Sequence, residues 1–353
     1  MSCMKDTARR ALVAAVVVVT VVVVAIALWR LRILLSLLFL AFIIAAAMRP
    51  GVEELRRRGI PRGFGVGLHY FVLTAGVGVL LWQVVPRVID QVDAAIGDLP
   101  RETSQATGIK QEILSGIQRR LDDLPSGERL FDPAVEVTIT AFEVGLGIFF
   151  TLAAAAYWIF ERDRFENLVL SLVPQKRRRI VRDTWNLIDL KLGAYVRGQL
   201  LLILLVATVL SLIFWAIGLP FWILIGIFAG LVEIIPVIGP LAAGALAIGV
   251  GLTVSWQVAT AAGIAVLIVR LVEDYVVIPR VLGHAVGLTP LTVLVSVTAV
   301  GLLFGGFGVL LAIPLAAVCA TLIDVVLRGR EPSEEDVPAL LFSAKEGEAS
   351  RGS

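Results

Sequence analysis

The chain has 353 residues, of which 58% are apolar and 17% charged, with a formal net charge of +2 and a mean hydropathy of +0.91. Soluble domains are roughly 45–50% apolar, so this composition excludes an ordinary soluble domain and indicates a polytopic membrane protein. Two histidines, His69 and His284, and two cysteines, Cys3 and Cys319, exclude a multi-histidine metal site and a disulfide framework, and no Gly-rich phosphate loop is present to make ATP the direct driving force.

Lys5, Arg9 and Arg10 precede an apolar run at 11–29. The run imitates a secretory signal, but it exceeds the usual signal core of about 7–15 residues and a second apolar run follows almost at once. It is read as a retained first span. Arg30 and Arg32 mark a tight turn into a second span at 33–48. A basic cluster follows, comprising Arg49, Arg56, Arg57, Arg58 and Arg62, and a third span at 64–85 ends at Trp82 and Pro86. Residues 1–86 therefore form the first three spans.

Residues 87–135 are polar, richer in acids than bases, and interrupted by Pro100, Pro125 and Pro133. Apolar residues recur there at helical spacing, which predicts an outer insertion of two short amphipathic helices on an aqueous side. A solvated connector is preferred to a lid or partner surface. The fourth span is 136–160, with Tyr157 and Trp158 as interface anchors.

Residues 161–198 carry the cluster Lys176, Arg177, Arg178, Arg179 and Arg182. Ile180, Val181, Thr184, Trp185, Ile188 and Leu192 fall on one helical face, which predicts an amphipathic helix lying on the cytoplasmic membrane surface. Nucleic acid is not the partner of a basic cluster in this setting; the lipid bilayer is. Lys and Arg favour cytoplasmic loops. Both termini, the 49–62 loop and 161–198 are accordingly assigned inside and 87–135 outside. The tail at 328–353 turns polar and acidic and is expected to be disordered and cytoplasmic.

The transport core is 199–327. Between Arg197 and Arg270 the only charged side chain is Glu233. Such a charge at a helix centre costs about 2.5–3.5 kcal/mol on insertion scales. Pro236 follows three residues later, and Gly239-Pro240 makes a second break. A lone acid beside a broken helix at membrane depth has the form of an ion or substrate site; the alternative is a buried structural hydrogen-bonder at a kink. Six apolar runs fill this half, and two of them, 239–254 and 288–304, are short for a span of about 20 residues. Either all six cross, or the short pairs form re-entrant hairpins at 221–254 and 288–327. Hairpins are favoured, with tips at 236–240 and 304–308. Gly218-Leu219-Pro220 before the first and Gly287-Leu288-Thr289-Pro290 before the second hint at an inverted repeat.

A second polar island is Arg270, Glu273, Asp274 and Tyr275, closed by Pro279. Arg270 is one turn from both acids, so it pairs with them locally. Glu273 and Asp274 either work with Glu233 on a proton, cation or polar substrate, or form an interfacial charge cluster. Gly301, Gly305, Gly306 and Gly308 permit close approach and positive φ at the second tip, where exposed backbone groups could meet an ion or substrate; close helix packing is the alternative.

With these residues the sequence resembles the bacterial autoinducer-2 exporter family. The resemblance rests on Tyr195-Val-Arg-Gly198-Gln199, on Glu233-Ile-Ile-Pro236-Val-Ile-Gly239-Pro240, and on Glu273-Asp274-Tyr275 through Pro279-Arg280. Gly287-Leu-Thr-Pro290, Phe304-Gly305-Gly306-Phe307-Gly308 and Ile313-Pro314 complete it. It implies an all-α protein of about eight membrane segments in the cytoplasmic membrane. It also implies a homo-oligomer, a pentamer, with an elevator-like moving part that exports small molecules. Some members look like sodium/proton antiporters. The resemblance implies that family members often carry Asn or another polar residue at the position of Glu233, Asn at that of Tyr275, and His at that of Thr289. Glu233 thus adds a titratable group and weight to a cation- or proton-coupled reading.

The expected function is secondary export of a small polar or amphiphilic molecule, without enzymatic activity or cofactor. The expected site comprises Gln199, Glu233, Pro236, Gly239, Pro240, Glu273, Asp274, Gly305, Gly306 and Gly308. A monovalent cation/proton antiporter is the alternative within transport, and a membrane assembly or structural protein the alternative outside it.

Overall fold

The computed structural model describes residues 2–97, 131–235, 238–281 and 287–332. Most of the expected outer insertion, the breaker Pro236 and the tail beyond 332 lie outside the described residues. The described chain is helical: α1 Ser2–Arg30, α2 Arg32–Arg57, α3 Arg62–Gly97, α4 Phe131–Ser171, α5 Arg178–Ala216, α6 Trp222–Val232, α7 Ile238–Val254, α8 Trp256–Val272, α9 Ile278–Val281 and α10 Pro290–Val326. A 3₁₀ turn at Gln175–Arg177 precedes α5, and a π turn at Glu273–Val277 separates α8 from α9. Leu12–Arg30, Arg32–Arg57, Phe142–Ser171, Gln175–Ala216 and Pro290–Val326 are each long and apolar enough to cross a membrane, and α6 and α7 are shorter apolar helices. Large side chains such as Phe71, Trp82, Phe142, Phe149 and Leu204 point outward, where only lipid or protein would accept them. The protein is an all-α, multi-pass membrane protein.

Small residues set how the helices pack. A Cβ on Gly230 would strike the Ile203 carbonyl at 2.6 Å and the Ala207 Cβ at 2.7 Å, so α6 lies backbone to backbone against α5. Gly251 meets Ala259 in the same way and closes α7 onto α8 across Ser255, whose Oγ accepts from Val258 N at 3.2 Å and caps α8. Van der Waals contact at glycine faces is the main source of helix attraction where lipid removes the hydrophobic drive. The core of this half is Val206, Leu210, Phe214, Ile225, Ala243, Ala247 and Ala262 with their neighbours. The turn between α5 and α6 runs through Gly218 at φ +70° and holds Phe221 at φ +56°, a left-handed conformation uncommon outside glycine.

Helix α10 is folded on itself. Gly305 has φ +73° and ψ −168°, which a helix cannot contain. A Cβ on Gly308 would lie 2.9 Å from the Val300 carbonyl, and Val297, Val300 and Ala312 share one buried cluster with Val293, Val309 and Ile313. In an unbroken helix residues 300 and 308 would be about 12 Å apart. The second expected hairpin is thus present as a helical fold-back with its tip at Gly305. Its N-terminus is capped by Thr289, which accepts from Thr292 N at 3.2 Å, with Pro290 at the tolerated first position.

Several boundaries differ from the sequence expectation. Helix α3 does not stop at Pro86 but carries it to Gly97. The turn at Arg30 and Arg32 is one non-helical residue, Leu31 (φ −89°, ψ 5°), flanked by Leu31 N–Ala27 O and Leu35 N–Leu31 O bonds of 2.9 Å. That is a bend rather than a hairpin, with the Arg32 guanidinium 4.4 Å from the Trp29 ring centroid. Residues 161–198 are not a separate surface helix: they complete α4, make the 3₁₀ turn and begin α5. Pro240 is not a second break, because it stands in the first turn of α7, where a missing N–H costs nothing.

Candidate transport site

Helix α6 ends at Val232, and the chain tightens into i→i−3 bonds, Ile234 N to Leu231 O at 3.4 Å and Ile235 N to Val232 O at 2.9 Å. Pro236 follows and cannot extend the ladder. Glu233 therefore sits at a helix end, 8% exposed, instead of in mid-helix. Gly239 brings the start of α7 back onto the Val232 carbonyl so closely that no side chain would fit.

The partner of Glu233 is Arg270, in the last turn of α8. Its Nη1 lies 2.6 Å from Glu233 Oε1 and 3.4 Å from Glu273 Oε2, and its Nη2 lies 2.8 Å from Asp274 Oδ1. One planar fork thus joins carboxylates from two separate segments, a geometry an ammonium could not reproduce. The π turn supports it. Pro279 would clash with the Tyr275 carbonyl in a regular helix, and the ladder widens instead: Ile278 N–H donates to Glu273 O, five residues back. Glu273 is 2% exposed, while the Asp274 side chain is 39% exposed. Gln199, on α5, donates from Nε2 to the Glu233 backbone carbonyl at 3.4 Å, covering a group that the helix end leaves open. Three carboxylates face one guanidinium, a formal charge of −2 inside an apolar bundle.

The structure therefore brings together Gln199, Glu233, Glu273 and Asp274. Gly239 shapes the turn without offering a ligand, and Pro240 lies behind it in α7. Among the described residues no hydrogen bond or ion pair joins Gly305, Gly306 or Gly308 to the acids; Gly305 and Gly306 face open space, and Gly308 packs against Val300 and Phe304. Arg270 is the site residue that sequence reasoning missed as a member. It was assigned only to its neighbours Glu273 and Asp274, whereas a lone buried acid at Glu233 called for a cation from elsewhere.

A second network was missed altogether. Arg162 gives Nε to Asp189 Oδ2 at 2.8 Å, Nη1 to Glu166 Oε2 at 2.9 Å and Nη2 to Asn186 Oδ1 at 2.7 Å. Arg49 reaches the same Asp189 oxygen at 2.8 Å, and Arg182 reaches Glu166 at 3.0 Å. Asp189 is four residues from Trp185 and three from Leu192, on the apolar face, and this was the signal that it is buried.

A sequence profile described as AI-2E family transporter matches residues 16–328. The chain belongs to the AI-2E transporter family. "Putative transport protein YrrI" of Bacillus subtilis (strain 168) is 26% identical over 309 residues, spanning 83% of this chain and 86% of the relative. "Putative transport protein YueF" of the same organism is 27% identical over 338 residues, 86% and 89% of the two chains. "Putative permease PerM" of Escherichia coli (strain K12) is 22% identical over 319 residues, 83% and 86%. This AI-2E family member is a membrane transporter, and the motif resemblance drawn from its sequence holds across most of its length.

Proposed function

We propose that this AI-2E family member is a secondary transporter exporting a small polar or amphiphilic molecule of the autoinducer-2 type. Gln199, Glu233, Arg270, Glu273 and Asp274 line its path, and the broken tips at 236–240 and 304–308 bound it. The observation that carries this reading is the Arg270 bridge: one guanidinium and three carboxylates, drawn from two interrupted helices, within an apolar bundle. Intramembrane charges of this kind mark substrate and ion pathways, and interrupted helices supply the polar backbone that a site needs. A helix followed by a broken hairpin occurs twice, as α5 with α6–α7 and as α8 with α10. We read the two as inverted repeats that move together, elevator-fashion, within a homo-oligomer, a pentamer, of the cytoplasmic membrane with both termini inside.

A specific observation favours a second reading. The formal −2 charge around Arg270, to which Glu233 contributes, suits a monovalent cation or proton, so a cation/proton antiporter competes with export. Liposomes carrying the protein, a trapped pH dye and an imposed sodium gradient separate the two. Proton movement that Glu233→Gln abolishes supports the antiporter. Efflux of labelled autoinducer-2 with no proton movement supports the exporter. Silence in both assays overturns the transport role of the Arg270 site.

A further inference from the structure

A cavity of about 560 Å³ opens between the ends of α2, α3, α4 and the start of α5, and it contains none of the residues around Arg270. Arg49, Arg56, Arg57, Arg62 and Arg162 line it, against three acids, Glu53, Asp163 and Asp189. The lining has a formal charge of +2. Its other wall is apolar, built from Ala45, Val52, Trp158 and Ile159. The arginines stand where the apolar stretches of α2 and α4 end and where α3 begins, so the cavity pairs a cationic rim with an apolar wall at the level where the spanning stretches stop.

The floor carries the second clue. Asp189 is 4% exposed and directs Oδ2 to both Arg49 and Arg162, while its Oδ1 is buried with no hydrogen-bond partner among the described residues. That oxygen is closed to a ligand, so the floor can recognise an anion only through its arginines. Arg49, for its part, commits only Nη1 to Asp189, and a guanidinium has several further N–H groups to offer.

We propose that this cavity is a phosphate-binding site, taking the phosphodiester of an anionic lipid. The arginines hold the phosphate, and acyl chains run along the Trp158 and Ile159 wall. An anionic phospholipid has this chemistry; free phosphate shares only the first part. Basic pockets between spanning helices recognise such headgroups through the same charges.

The test uses native mass spectrometry and thermal melting of the full chain in neutral detergent. The probes are phosphatidylglycerol, phosphatidylcholine and inorganic phosphate. Phosphatidylglycerol is retained and phosphatidylcholine is not. The double substitution Arg56→Gln with Arg57→Gln weakens retention by roughly fivefold per arginine, about 25-fold together, while Arg328→Gln with Arg330→Gln, a basic pair outside the cavity, leaves it unchanged. The Arg56 side chain is 51% exposed, and the melting temperature of the lipid-free double variant reads any loss of fold separately from loss of retention. Arg62→Gln, by itself, gives an independent loss of about fivefold. If inorganic phosphate alone raises the melting temperature and displaces phosphatidylglycerol, the occupant is the free ion. Equal retention of the two lipids without a phosphate effect overturns the site, as does equal loss in both double variants.

Discussion

Two buried charge networks hold this transporter's helices together, and they are built on opposite plans. Around Arg162, two further arginines, Asn186, Glu166 and Asp189 project from α2, α4 and α5, each a regular helix at these positions. Around Arg270, the acids outnumber the base three to one, and both segments that supply them have left regular helix. The first network pairs both of its carboxylates on a rigid frame and leaves one positive charge in excess, which is what a strut at the edge of a cationic cavity requires. The second leaves negative charge uncompensated beside interrupted backbone, where small changes in φ and ψ would regroup the carboxylates. The same interaction, a guanidinium with carboxylates, braces helices in one setting and is suited to exchange with an ion or substrate in the other.

The largest test of this contrast is Arg162→Met. It leaves Asp189 and Glu166 buried with weaker partners, and the expected loss of stability is about 3–5 kcal/mol, read by chemical denaturation in detergent. A smaller loss than that of Arg270→Met would reverse the roles assigned to the two networks.

Arg270→Met is expected to cost less, about 2–3 kcal/mol, because its side chain is 26% exposed and solvent screens part of the pairing. Transport is nevertheless abolished. Arg270→Lys restores most of the stability and little of the flux, since a point charge cannot bridge Glu233, Glu273 and Asp274 at once. Flux measured in liposomes beside melting in detergent separates the effects. Stability and flux recovering together in the lysine variant would make Arg270 a strut like Arg162.

How far each network could be read in advance follows from the range of the forces involved. Glu233, Glu273 and Asp274 stand out because charge is costly in apolar sequence, and that cost is local. The Glu233–Arg270 link spans 37 residues and depends on α7 folding back onto α8 through Gly251; nothing in the local pattern encodes that distance. Asp189 was obscured by its basic neighbours, which made 178–182 look like a solvated face, although its position on the apolar stripe was visible. Pro86 and Leu31 show the same limit at helix ends. A proline and a pair of arginines read as stops, yet α3 runs through the one and the chain merely bends at the other, because the backbone bonds on either side outweigh a local preference. The fold-back at Gly305 was legible as one of two readings of four glycines in eight residues, close helix packing being the other.

That fold-back supplies the smallest test. Gly305 alone among the glycines of α10 has a positive φ, and its ψ of −168° lies in a region essentially reserved for glycine. Gly305→Ala should cost about 1–2 kcal/mol through backbone strain alone, since a Cβ there meets nothing within 4 Å. Gly306→Ala, equally uncrowded and without a positive φ, should lie within about 0.5 kcal/mol of the parent. If the hairpin moves during transport as the Arg270 region is proposed to, Gly305→Ala will also slow flux beyond what its lost stability explains, while Gly306→Ala will not. A Gly305→Ala variant that loses stability and keeps full flux would leave the second hairpin as a fixed wall and confine the moving part to the helices around Arg270.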